Sequence, residues 1–267
     1  MGKSIAAIAM TLILSSCQSQ AVTRKPPKSL LPLYIYPNWY QPEEYAWAKV
    51  ISAADKVPIV AIINPNNGPD GKPPNDDYKM WLKDLNQSNA TVLGYVYTKY
   101  GDRPKAEVIQ DIIFYARHYN VDGIFLDESA SNAQQVDYYQ DIYDYVRQET
   151  HLTQVIINPG TFAEEEYLAQ PAADTAVIFE NYPQPWEEYQ PQLYHRKYQA
   201  KHFASLIHSV ADSASMKKYI DLAIARNIGY IYVTDDSPDS NDGDPWNSLP
   251  SYWQEEVDYI QSLMQKK

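Results

Sequence analysis

Val121-Asp122-Gly123-Ile124-Phe125-Leu126-Asp127-Glu128 is a short apolar run opened by glycine and closed by two acids. The run predicts a strand over residues 123–127, and helical patterns flank it over 105–119 and 133–150. A buried strand between two amphipathic helices is the mark of parallel βα units. Strand side chains alternate between two faces. Ile124 and Leu126 suit the face that packs on helices, which turns Phe125 and Asp127 to the other side. A carboxylate placed there, at the C-terminal end of a strand, is costly unless it is paired or used.

The same alternation extends in both directions. Further strands are expected over 31–37, 58–64, 91–98, 154–158, 175–180, 203–208 and 229–235, with helices over 42–54, 76–87, 216–226 and 251–265. About eight such units close a barrel, so the expected fold is α/β, a single-domain (β/α)8 barrel of the TIM type over residues 30–267. The stretch from Pro183 to Gln199 offers no clean helix, and 203–208 is the faintest strand. An open doubly wound sheet is the structural alternative, but no glycine-rich phosphate loop follows the first strand. Two long loops, 65–74 and 237–246, fall at the C-terminal face, where barrel enzymes keep their sites.

The amino terminus carries a different message. Lys3 precedes an apolar run from Ile5 to Leu14, too short to span a bilayer, and Leu14-Ser15-Ser16-Cys17 follows. That tetrapeptide resembles the lipobox of bacterial lipoproteins. It implies removal of residues 1–16, lipidation of Cys17 and a polar, proline-bearing tether over 17–29. The expected location is the bacterial cell envelope, periplasmic or outer surface, with the membrane engaged through the lipid. Cys17 is the chain's one cysteine, so no intramolecular disulfide can form. The formal net charge is −12, one unit more negative once Lys3 is removed, which disfavours nucleic acid and anionic lipid surfaces.

Parity places more polar groups inside the barrel mouth. Val177 and Phe179 suit the helix side of the sixth strand, so Glu180 points inward; Asn64, Asn158 and Asp236 follow from the same rule in strands two, five and eight. Alternate strands share a layer. With strands about 4.8 Å apart, the carboxyls of Asp127 and Glu180 are expected roughly 5–6 Å apart. That spacing suits a retaining glycosidase, in which one carboxylate attacks and the other protonates the leaving oxygen. The pairs Tyr34/Tyr36, Tyr95/Tyr97 and Tyr230/Tyr232 put phenols along the inner wall. Of the aromatics, Tyr36, Trp39 and Tyr97 lie nearest strand ends and are the binding candidates, with Asn64, Asn158 and Asp236. Glu128, Asp235 and Asp236 have a plainer alternative as helix caps.

Other chemistries fit poorly. His118, His151, His195, His202 and His208 show no zinc spacing, no GxSxG elbow occurs, and the acidic loop 238–244 does not match a calcium loop. Neither a metal nor a cofactor is expected. Only His208 lies where it can reach the cleft.

Several segments together resemble the spherulin-4 family, which is similar to glycoside hydrolase family 135. They are Pro32-Leu33-Tyr34-Ile35-Tyr36-Pro37, Ile62-Ile63-Asn64-Pro65-Asn66-Asn67-Gly68-Pro69, the strand quoted first, Val155-Ile156-Ile157-Asn158-Pro159-Gly160, Phe179-Glu180-Asn181, and Val233-Thr234-Asp235-Asp236 with Leu249-Pro250-Ser251-Tyr252-Trp253. The resemblance implies a (β/α)8 barrel acting on galactosamine-containing polysaccharide, with the family's strand-four acid pair on Asp127 and Glu128 and its strand-six glutamate on Glu180. Parity alone leaves Glu128 outside; a strand ending at Asp127 would release it. The expected function is an endo-acting, monomeric glycoside hydrolase with Asp127 as nucleophile or charge stabiliser, Glu180 as acid/base and Glu128 orienting. The alternative of another class is a surface-anchored polysaccharide-binding barrel without turnover.

Overall fold

The computed structural model describes residues 25–37, 45–71, 73–240 and 243–265. Eight parallel strands, β1 (Lys28–Leu33), β2 (Ile59–Ile63), β3 (Thr91–Tyr97), β4 (Gly123–Asp127), β5 (Gln154–Ile157), β6 (Thr175–Asn181), β7 (Phe203–Ile207) and β8 (Tyr230–Val233), close in sequence order into a barrel. Helices α1 (Ala46–Ala54), α2 (Asp76–Leu85), α3 (Lys105–His118), α4 (Val136–Glu149), α5 (Glu166–Ala169), α6 (Pro183–Glu188), α7 (Ser213–Ala225) and α8 (Trp253–Gln265) alternate with them. This is the expected (β/α)8 barrel.

Each strand is buried on both faces, as a barrel wall between lumen and helices must be. The expected parity shows at Gly94: a Cβ there would lie 2.5 Å from the Tyr115 ring, so α3 presses directly on β3 and Tyr95 is turned into the lumen.

The first strand is displaced from its expected position. β1 begins at Lys28 and ends at Leu33, where Leu33 pairs with Ile63, the last residue of β2. Tyr34, Ile35 and Tyr36 have the propensity for a strand but no neighbour to pair with. Lys28 N–H donates to Gly229 and Ser29 N–H to Pro58, so by alternation Pro32 faces β8. The β1–β8 ladder has already stopped at Ser29↔Ile231, and the missing proline N–H costs nothing there.

Helix boundaries follow their caps. Asp212 accepts from the N–H groups of Ala214 and Ser215, both at 2.9 Å, and starts α7 three residues before the expected Met216. Between β6 and β7, where no long helix is expected, the chain makes the six-residue α6 and two 3-10 turns at Leu193–Lys197 and Ala200–His202. Fully buried Trp186 on α6, its ring tilted against that of Phe179 with centroids 4.9 Å apart, fills the layer that a longer helix covers elsewhere.

Candidate active site

The C-terminal ends of β4, β5 and β6 bring three polar side chains into contact. Asn158 Nδ2 donates to Asp127 Oδ1 and to Glu180 Oε2, each at 2.7 Å. Two oxygens bonded to one nitrogen at these lengths stand no more than about 5.4 Å apart. The Asn158 Oδ1 accepts from Gly160 N–H at 3.0 Å, which fixes which end of the amide faces the acids. Gly160 has φ 65, and a Cβ on it would sit 3.6 Å from the Glu180 Cβ. Glycine lets the β5 loop take that left-handed turn without strain while it passes close beneath the acid.

Each carboxyl has its own second support. Tyr95, from β3, donates its hydroxyl to Asp127 Oδ2 at 2.8 Å, and the Glu128 backbone N–H adds another donor. Glu180 accepts from the side chain of Trp246, in the loop after β8. Burial pushes the Asp127 carboxyl above its ordinary value, against the pull of Tyr95, Glu128 and Asn158. Glu180 is pushed further, to about 7, first by burial and then by the Asp127 charge, with Asn158 and Trp246 pulling the other way. The two acids therefore differ: Glu180 still holds a proton in a large share of molecules near neutrality, while Asp127, with three donors aimed at its charged form, is the readier of the two to ionise.

Strand β4 ends at Asp127, and Glu128 takes a left-handed φ of 48. That break is what frees Glu128 from the alternation. The β3 loop holds it in place: Thr98 Oγ1 donates to the carbonyls of Asp127 and Glu128 at 3.0 and 2.9 Å, and Tyr100 N–H donates to Glu128 O at 2.6 Å. The half-buried Glu128 carboxyl takes no hydrogen bond among the described residues. Strain gathers at this end of the barrel, since Asn67, Lys99, Tyr100, Glu128 and Ser209 all have positive φ and all follow strands. Non-glycine residues in that region need surrounding structure to hold them.

The other candidates ring the mouth without a hydrogen bond to the acid pair. Tyr36 is 52% exposed, and its hydroxyl donates to Asp77 at 2.7 Å at the start of α2. Asn64 Oδ1 accepts from Gly68 N–H at 2.9 Å and shapes the loop after β2. Tyr97 lies beneath the Arg103 guanidinium at 4.1 Å, and Arg103 is paired with Asp111 at 2.6 Å. Asp236 accepts from Ser237 N–H and Ser248 Oγ, at 2.8 and 2.6 Å, and braces the β8 loop. Asp235 accepts from Ser251 just ahead of α8, as a capping acid does. Trp39 and Cys17 lie outside the described residues.

Two members of the site were not among the expected residues. Tyr95 belongs to an inward pair, but its depth in β3 hides the reach of a phenol up to the strand end. Trp246 sits in an irregular loop, where no periodicity assigns a direction. A third phenol, Tyr34, is half-buried near both acids, and desolvation, then the Asp127 charge, holds its hydroxyl protonated. Cavities elsewhere lack this chemistry: one of about 510 Å³ between α1 and α8, and one of about 610 Å³ at the barrel floor beside Lys28 and Tyr230, have no acid in their lining.

A closed (β/α)8 barrel with two hydrogen-bonded acids of unequal pKa at its C-terminal mouth defines a protein of the glycoside hydrolase kind. Residues 28–260 match spherulation-specific family 4, Spherulin4, and the chain belongs to that family. It is 33% identical over 254 residues to Spherulin-4 of Physarum polycephalum, a match covering 91% of this chain and 73% of the relative. Among solved structures it is similar to Sph3 of Aspergillus clavatus, crystallised in complex with GalNAc, with a TM-score of 0.76 at 25% identity over 90% of this chain and 99% of that one.

Proposed function

We propose that the protein is an endo-acting glycoside hydrolase that cleaves galactosamine- or N-acetylgalactosamine-containing polysaccharide with two carboxylates. The observation that carries this reading is the shared Asn158 amide, which holds Asp127 and Glu180 within about 5.4 Å. Retaining glycosidases keep their carboxyls about 5–5.5 Å apart, whereas inverting ones leave roughly 6.5–9.5 Å for a water. In the first step an Asp127 oxygen bonds to the anomeric carbon as the glycosidic C–O bond breaks, and Glu180 gives its proton to the departing oxygen. In the second, Glu180 takes a proton from water as the water oxygen displaces Asp127 from the anomeric carbon. Glu128, with its carboxyl unengaged, is placed to orient the sugar or the water.

The choice of an amino sugar rests on the GalNAc bound to the Aspergillus relative. The acid pair supports a neutral or cationic substrate rather than a polyanion. The test is incubation of the chain with galactosamine-containing polymers of defined acetylation, followed by assay of new reducing ends. Binding without new ends would sink the hydrolase reading in favour of a polysaccharide-binding barrel.

The same proposal includes export and a lipid anchor at Cys17, motivated by Leu14-Ser15-Ser16-Cys17. Cys17→Ser is expected to move the protein from the membrane fraction to the soluble one; an unchanged distribution would remove the anchor.

A further inference from the structure

Glu180 is followed on β6 by Asn181, the strand's last residue, and then by Tyr182, an aromatic that is 36% exposed at the rim. Tyr182 is not loosely placed. Its hydroxyl donates to Asp239 Oδ2 at 3.0 Å, across from the β8 loop, and its ring meets His208 edge to face with centroids 4.4 Å apart. His208, at the end of β7, is tied through Nδ1 to Ser209 Oγ at 3.0 Å, and burial holds its imidazole below its ordinary pKa, toward the neutral form. The His208 ring lies 6.0 Å from that of Trp246, whose side chain donates to Glu180. An unbroken aromatic wall therefore climbs from the acid to the solvent-exposed lip.

The direction of that wall has chemical meaning. A general acid protonates the oxygen of the departing sugar, so it stands on the leaving side of the scissile bond. Asp127, with Tyr95, stands on the opposite side. A galacto-configured sugar carries its axial O4 on one face, which leaves a continuous C–H patch on the other, and such patches stack on aromatic rings. Packing alone gives no reason to hold an exposed tyrosine by contacts from two other strand ends.

We propose that Tyr182, backed by the buried rings of His208 and Trp246, forms a subsite for the departing sugar, a galacto-configured hexosamine whose C–H face stacks on Tyr182, with Asp239 fixing the ring. The inference rests on the hydrolase reading above and on Glu180 being the acid. It is tested with the full chain on two substrates. One is a galactosaminide oligosaccharide, whose leaving group is a sugar; the other is the corresponding oligosaccharyl fluoride, whose leaving group fills no subsite. Tyr182→Ala is expected to lower kcat/KM about ten-fold on the first and to leave the second unchanged, while Tyr182→Phe, which keeps the stacking face and loses only the Asp239 bond, falls between wild type and Ala on the first and stays at the wild-type rate on the second. Equal loss on the two substrates, no loss on either, or a Phe variant as impaired as Ala would each overturn the subsite. A wild-type chain inert on both substrates would overturn the hydrolase reading, and the subsite with it.

Discussion

Two glutamates of this barrel are pushed far from their ordinary pKa, and they sit in opposite surroundings. Glu180, at the mouth, rises to about 7, and Glu256, on α8 behind the wall, rises to about 8. Burial is the leading cause for both. Beyond that they part: Glu180 faces a second acid and accepts from Asn158 and Trp246, while Glu256 is 1% exposed and eased only by the Val233 backbone N–H. Neither Glu256 oxygen has a close hydrogen-bond partner among the described residues. A raised carboxyl thus reports enclosure wherever it occurs. What separates a catalytic acid from an enclosed one is the partner it can work with, the donors aimed at it and a side left open to substrate.

Substitutions that break this contrast should differ by orders of magnitude. Asp127→Asn removes the attacking group and is expected to lower the rate of reducing-end release on the order of 10⁴-fold, with Glu180→Gln costing about 10³-fold. Glu256→Gln should leave turnover unchanged. Comparable losses at Glu180 and Glu256 would erase the distinction between the two regions.

Asn158→Ala should cost about 10²-fold, the scale of one preorganised donor. Its pH profile is more telling than its rate. The wild-type profile of kcat/KM should be a bell, with an acid limb from Asp127 above the ordinary aspartate range and an alkaline limb near 7 from Glu180. Asn158 stabilises both ionised forms, so its loss raises both pKa values and moves both limbs to higher pH. A bell that only shrinks in height would show that the amide does not bridge the acids in solution. In Glu180→Gln the alkaline limb should vanish.

The smallest effect on turnover, and the clearest on stability, belongs to Glu256. Its unfolded pKa is near the ordinary 4.5 and its folded one about 8, so between those values the native state keeps a proton that the unfolded chain has lost. Stability from this group is full below pH 4.5, falls as pH rises toward 8 and is flat beyond. Glu256→Gln has no proton to lose. Its stability relative to wild type, followed by urea unfolding, should improve across that window by a few kcal/mol. A difference independent of pH would mean that Glu256 is hydrated or paired.

Much of the site was legible because strand alternation is a local rule. Asp127, Asn158 and Glu180 each lie within one residue of the end of an apolar strand, and parity turns all three inward whatever lies beyond. Glu128 required knowing that β4 stops at Asp127, which the clamp from Thr98 and Tyr100 decides and no residue of β4 announces. The position of β1 was hidden for a related reason: 31–37 has the stronger strand propensity in isolation, and the register against β2 overrides it in favour of 28–33.

By itself the order of residues determined the barrel, through eight expected strands alternating with six expected helices, and it placed three polar groups at strand ends facing inward. Only the closed tertiary structure decided that one amide would bond to two acids, that Trp246 would reach Glu180 from the last loop, and that Tyr182 would stand beside His208. Periodicity propagates along a chain over a few residues, whereas those contacts join segments up to 66 positions apart, from Glu180 to Trp246. Their distances exist only once the wall has closed and fixed every register at once.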